Sequence, residues 1–432
     1  MKKQRIVISF TIISLLLLIG SIIFQTFYER DPYGYYTGLG QNIDVAPDDS
    51  SVAFSYFLDG HEAIYIANLN GSEVNRISEM TEGRSHSPNF SSDGKQLLFL
   101  TEDDHGIQTV SVMNHDGSHA ERLTIEGLHV TDAIFAPDNE MIYFIAMIAS
   151  EVGKAEGETK EGYDLYQVDR RSGQVVQLTD KDHFSMNNLS ISADGEILYY
   201  SLFDSKEQLV AFSLEKKTET PVVKANEDMY SSVLSKDGTL VVYTAVSEES
   251  KNSSLFTYEL YVKNLKNNKT DQLTDLHTHV QSPVFLHETD KIAFLQYQNW
   301  PEEPEQNQLM TVSLSADDEP EMVELDLPAS SENNFIPKTI EFLLSEKAIA
   351  VYYVLFFVGL ILVALRKSGK VYLPSFVSLG LSALFFVGSF VIGALTNPWY
   401  GIWLAMVALT MFICSLFLVL LSFILQRFSR RS

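Results

Sequence analysis

The chain has one cysteine in 432 residues, Cys414, inside a late apolar run, so no disulfide can staple any part of it. Whatever folds here must rest on its own packed core. Acidic residues are missing from both ends: none precedes Glu29 and none follows Glu346. Charge is missing altogether from four apolar runs, Ile6–Phe27, Ala348–Leu365, Val371–Leu395 and Ile402–Leu425, which hold no Asp, Glu, Lys, Arg or His. Proton relays and ion pathways normally need such a residue inside the membrane, so these runs read as an anchor or docking bundle rather than a transport path. No small-x-small cleavage site follows the first run, which therefore reads as an uncleaved anchor rather than a signal peptide. Walker A, dinucleotide and Gly-x-Ser-x-Gly elements are absent too, which removes the nucleotide-binding and serine-hydrolase readings that depend on them.

What is present is divided just as sharply. Ten of the 31 basic residues lie outside the Glu29–Glu346 segment, so the middle carries 21 basic against 56 acidic groups, a net of −35. That surface repels nucleic acid and anionic headgroups and keeps the domain soluble. Each of the four runs is long enough to span a hydrocarbon core of about 30 Å. The Lys2-Lys3-Gln4-Arg5 end, the Arg366–Lys370 loop and the Gln426–Ser432 tail are basic, while the Thr396–Tyr400 loop is uncharged and carries Trp399 and Tyr400. Basic loops stay cytoplasmic, so the expected protein is multi-pass in the cell membrane with both termini inside. The expected domains are a basic end and anchor (1–28), an extracytoplasmic domain (29–327), a linker (328–347) and three transmembrane helices with a basic tail (348–432).

The middle segment is repetitive. Phe90-Ser91-Ser92-Asp93-Gly94-Lys95-Gln96-Leu97-Leu98-Phe99 is an apolar step, a tight turn on an Asp, then an alternating strand ending in an aromatic. The turn acid recurs as Asp48, Asp93, Asp138, Asp194, Asp237 and Glu288, each followed six residues later by Phe54, Phe99, Phe144, Tyr200, Tyr243 or Phe294. Asp followed by Gly or Asn suits a hairpin, because these residues tolerate positive φ and Asp bonds its own backbone. A second hairpin follows each copy, and several end in an Arg122-Leu123-Thr124, Gln177-Leu178-Thr179 or Gln272-Leu273-Thr274 stretch. Four strands per copy at a spacing of about 45 residues read as the blades of a propeller. The turn signature with its aromatic resembles the WD40-like β-propeller repeat of TolB-type proteins, over roughly residues 40–327. The resemblance implies an all-β six-bladed propeller ectodomain, with α-helical transmembrane segments, one N-terminal and three C-terminal, around it. It implies little about function, since such propellers serve binding, scaffolding and enzyme regulation alike.

The repeat register also locates candidate site residues. Six residues before each turn acid stand Asn42, Ser87, Asp132, Asn188, Ser231 and Ser282, and one residue earlier Gln41, His86, Thr131, Asn187, Tyr230 and Gln281. All twelve are polar, although the strand positions after them are mostly apolar. On a propeller they gather at one mouth of the central channel, where hydroxyls and amides suit a small polar ligand or a protein segment; a water-filled channel needs a polar lining as well. Three long connections, Ala149–Gly162, Val246–Tyr258 and Gln296–Gln308, project from the same face, the last containing Trp300-Pro301-Glu302-Glu303-Pro304. The ten histidines form no ligand set at zinc spacing, His277–His279 and His115–His119 being the only close groups, so no metal and no cofactor are expected.

The expected function is a non-enzymatic binding, sensing or scaffold module for cell-envelope partners, held outside a membrane. One rival is a channel-mouth enzyme of lyase or hydrolase type using Asp132 and His86. The other is an accessory domain of a membrane transport or assembly complex.

Overall fold

The computed structural model describes residues 2–28, 31–79, 83–123, 125–154, 158–204, 206–223, 229–315, 318–367 and 369–429. Thr124, residues 155–157 of the Ala149–Gly162 connection, Ser368 of the basic loop and residues 430–432 of the tail lie outside these. The chain divides into two compact units, Pro32–Glu332 and a second made of Met1–Asp31 with Asn333–Ser432.

Among the described residues the first unit is built from successive antiparallel groups of four strands. The first group is β1 (Gly38–Val45), β2 (Ser51–Leu58), β3 (His61–Asn68) and β4 (Asn75–Arg76). The second is β5 (Ser85–Phe90), β6 (Gln96–Glu102), β7 (Gln108–Asn114) and β8 (Glu121–Arg122), and the third β9 (Leu128–Phe135), β10 (Met141–Ile148), β11 (Asp164–Asp169) and β12 (Val175–Gln177). The fourth is β13 (Met186–Ile191), β14 (Ile197–Asp204), β15 (Lys206–Ser213) and β16 (Thr218–Pro221). The fifth is β17 (Tyr230–Leu234), β18 (Leu240–Val246), β19 (Tyr258–Asn264) and β20 (Thr270–Gln272), and the sixth β21 (His279–Phe285), β22 (Lys291–Tyr297), β23 (Asn307–Ser313) and β24 (Glu321–Met322). Backbone pairing does not run continuously round them. Single pairings, Tyr258↔His279 and Leu39↔Asn307, join the fifth, sixth and first groups, while the other three are separate sheets.

The turn chemistry explains the hairpins. In five groups the turn aspartate accepts the N–H two residues on: Ser50 at 3.0 Å, Lys95 at 3.2 Å, Glu140 at 2.9 Å, Glu196 at 3.1 Å and Thr239 at 3.1 Å. The sixth turn carries the longer Glu288 and is held instead from the first group: His287 and Glu288 donate their N–H groups to the Asp49 carboxylate at 2.7 and 2.8 Å. The Gln-Leu-Thr tails lock the third strand. Thr179 Oγ1 accepts the Leu165 N–H at 2.9 Å and donates to buried Asp164 at 2.6 Å; Thr274 repeats this with Leu260 (2.8 Å) and Glu259 (2.6 Å).

The core lies between the groups. One apolar cluster joins the first and second groups, through Phe90 and Ile64, and others join the second to the third, third to fourth, fourth to fifth and fifth to sixth. A sixth packs Leu295 and Leu309 of the last group against Phe54 and Tyr65 of the first. Each sheet is therefore covered on both faces. That is why the second strands, expected to alternate, are instead buried almost throughout, as in β2 and β10. All six repeat aromatics are buried.

The second unit contains α1 (Lys2–Phe27), α2 (Phe335–Leu343), α3 (Glu346–Lys367), α4 (Leu373–Leu395) and α5 (Pro398–Ser429). Four of these, α2 excepted, are long and apolar enough to cross a membrane. Helices α4 and α5 meet along small residues. Ser375 bonds Ser422 at 2.7 Å and Ser378 bonds Ser415 at 2.6 Å, hydroxyl to hydroxyl.

Candidate functional site

The first strand of every group is bulged against the second. Register slips between Leu39 and Ile43, His86 and Asn89, Asn187 and Ser190, Tyr230 and Val233, and Gln281 and Val284. In the third group the slip falls opposite Ile145 and Ala146, at Thr131. A bulge leaves a residue unpaired and re-aims its side chain. Ser87, Asn188, Ser231 and Ser282 accordingly take φ of 52°, 56°, 48° and 53°. Asn adopts that region readily, whereas for Ser it is uncommon.

The bulges bring six positions, spread over 240 residues of chain, round one cavity of about 300 Å³. Asn42, Ser87, Asp132, Asn188, Ser231 and Ser282 all line it, as do Thr131 and Asn187. Neighbours touch: Asn42 Nδ2 donates to Ser87 Oγ at 2.9 Å, and Ser282 Oγ to the Gln41 carbonyl. The other four expected residues are not in the lining. Gln41 and Gln281 donate to the two Glu305 carboxylate oxygens at 2.8 and 2.9 Å, at the seam between the first and last groups. His86 Nδ1 pairs with Ser87 Oγ at 2.9 Å, and Tyr230 stacks edge-on against Tyr258.

A second tier of the lining escaped the sequence reading. Two residues after the first tier stand Asp44, Asn89, Ile134, Ser190, Val233 and Val284, all in the cavity wall. Three of the six are polar, but Ile134, Val233 and Val284 make the position read as core strand across the copies. Asp44 and Asp132 act alike: Asp44 accepts the Phe90 N–H and Asp132 the Leu189 N–H, each at 2.7 Å and each from the next group. Burial pushes Asp44 up to about 7 and Asp132 up to about 6, partly offset by those N–H bonds. Burial, with Arg84 and His129 adding, pushes His86 down to about 4. Among the described residues the lining holds no Lys, Arg or His, so it favours neutral polar or cationic groups.

Among the described residues one trio has metal-like geometry, Glu259, Asp275 and His277. The Glu259 oxygens are already used, one by Thr274 Oγ1 and the other by the Leu276 and His277 N–H groups at 2.9 and 2.7 Å. This is a loop lock.

A family model described as the TolB beta propeller domain matches residues 42–259, half of the chain. The protein is thus a mostly-β, propeller-type protein with four long apolar helices. The chain belongs to the TolB beta propeller domain family. A dipeptidyl-peptidase 5 from Porphyromonas gingivalis is 29% identical over 169 residues, covering 34% of this chain; the chain spans 21% of that relative's length. Similar solved structures include a TolB from Acinetobacter baumannii (14% identity, TM-score 0.49, 71% of this chain and 68% of that one). An oligogalacturonate lyase from Vibrio parahaemolyticus is also similar (12% identity, TM-score 0.47, 64% and 91%).

Proposed function

We propose that this protein is a six-bladed propeller held outside a cell membrane by four transmembrane helices, and that it binds an envelope protein segment or small polar ligand at its channel mouth. Support for the ring comes from the junctions. Asn139 of the third group reaches back to the Ser92 N–H of the second at 3.2 Å, and Asp49 of the first reaches in the same way to His287 of the sixth. The sixth group thus stands to the first as the second stands to the third. The observation that carries the binding reading is the cavity itself, where six equivalent positions in or beside the bulges converge although four of them, Ser87, Asn188, Ser231 and Ser282, are held at positive φ. The lyase or hydrolase reading needs Asp132 and His86 together, and only Asp132 faces the cavity.

A photo-crosslinking residue at Asn188 should trap a partner in intact membranes, while one at Lys236, in the turn between β17 and β18, should not. Equal trapping at both positions, or none at Asn188, overturns the reading. For topology, Glu161→Cys should label from outside intact cells and Lys370→Cys only after lysis; the reverse pattern overturns it.

A further inference from the structure

Helix α2 falls in the stretch expected to be a linker, and it is amphipathic. Ile336, Ile340 and Leu343 stand at helical spacing on one stripe, Phe335 and Phe342 lie along one border of the helix between that stripe and Lys338, and Glu341 lies on the far edge. No residue of α2 is buried, and Phe335, Ile336 and Phe342 are 72%, 70% and 76% exposed. The polar edge is spoken for: Glu341 accepts the Tyr28 hydroxyl at 2.6 Å, and Gln25 Nε2 donates to the Leu344 carbonyl at 2.9 Å. Both partners lie at the end of α1, and α3 begins three residues after α2 ends. Tyr352 of α3 donates its hydroxyl to the Leu343 carbonyl at 2.9 Å. Helix α2 is therefore held beside the ends of two candidate membrane spans.

We infer that α2 is an interfacial helix whose apolar stripe inserts into the boundary between headgroups and acyl chains of the bilayer. The inference rests on α1 and α3 crossing that bilayer. An aqueous setting would leave the stripe exposed, and a helix this short is marginal alone in water. At the boundary the stripe is buried and the Lys338–Glu341 edge stays wet. One charge of each sign makes insertion depend on apolar burial rather than on anionic lipid, so salt should not reverse it.

The test uses the full chain with Cys414→Ser, reconstituted in neutral phosphatidylcholine vesicles and spin-labelled at one new cysteine: Ile336→Cys, Ile340→Cys, Lys338→Cys or, within α4, Leu384→Cys. Collision rates with oxygen and with a water-soluble nickel complex give depth. Labels at 336 and 340 should read about 5–10 Å below the headgroups, the depth of interfacial helices. The 338 label should read water and the 384 label the hydrocarbon interior. With 384 deep, water exposure at 336 and 340, or shielding from both reagents by protein, overturns the interfacial helix. Water exposure at 384 overturns the membrane-span reading, and the inference falls with it.

Discussion

Asp132 accepts the backbone N–H of Leu189 at 2.7 Å, so a carboxylate of the third group completes the bulged strand of the fourth inside the cavity wall. Asp44 does the same for Phe90. Burial raises Asp132 from 3.8 to about 6 and Asp44 from 3.8 to about 7. Because the folded values lie above the unfolded ones, the folded state keeps protons that the unfolded chain has released. Stability from these two groups therefore falls as pH rises from about 4 and levels off near 6 for Asp132 and 7 for Asp44. Asn in each place keeps an oxygen for the N–H and removes the titration. The double variant Asp44→Asn/Asp132→Asn should gain steadily on the native protein between pH 4 and 7.5 in urea unfolding, by several kcal/mol at the upper end, since each pH unit over which a buried carboxylate keeps its proton is worth about 1.4 kcal/mol. A difference between the two that stays constant over that range would contradict this.

Asp49 holds the last group to the first through two N–H groups, His287 and Glu288. Its φ of 54° makes glycine the clean replacement, since glycine takes that conformation without strain. Asp49→Gly should lower the unfolding midpoint by the equivalent of about 1–2 kcal/mol, while Glu288→Ala should change it by less than about 0.5 kcal/mol. Equal effects would mean that the carboxylate adds nothing at the seam.

The turn register was legible in the sequence because it is local: an Asp followed by Gly or Asn builds its hairpin with its own neighbours. The twelve polar positions expected at a mouth followed from that register, and eight of them line the cavity. Gln41, His86, Tyr230 and Gln281 do not, because the bulge decides which of two adjacent side chains faces inward, and a bulge depends on the partner strand. Asp44 was missed because its position is Ile134, Val233 and Val284 in other copies and reads as apolar core. Helix α2 was hidden by its brevity and by Pro337, which reads as a breaker yet is tolerated in a first turn.

Glu305 gathers Gln41, Gln281 and Asn307 around one carboxylate, the last at 3.2 Å, and its carbonyl accepts the Tyr36 hydroxyl. Glu305→Ala should loosen this seam, with faster amide exchange in β1 and β23 and a loss of about 1–2 kcal/mol. Glu305→Gln keeps one acceptor oxygen and should lose less. Exchange unchanged in both strands would show that the Leu39↔Asn307 pairing and the apolar cluster hold the seam unaided.

In the helical unit, Gly401, Ala408, Ser415 and Ser422 recur every seven residues along α5, facing Ser375, Ser382 and Ser389, also seven apart, on α4. All seven of these positions are buried, as small residues must be where helix backbones approach. A side chain at Gly401 would meet the Gly393 Cα and the Ser389 carbonyl at 2.8 Å each, both backbone atoms that cannot step aside. Ser415, by contrast, contributes a hydroxyl to Ser378, and such bonds between membrane helices are worth about 0.6 kcal/mol on average. Gly401→Leu should therefore force the helices apart and lower the thermal midpoint in detergent markedly, while Ser415→Ala should leave it nearly unchanged. If Ser415→Ala proves the more damaging, hydrogen bonding rather than close approach holds α4 to α5.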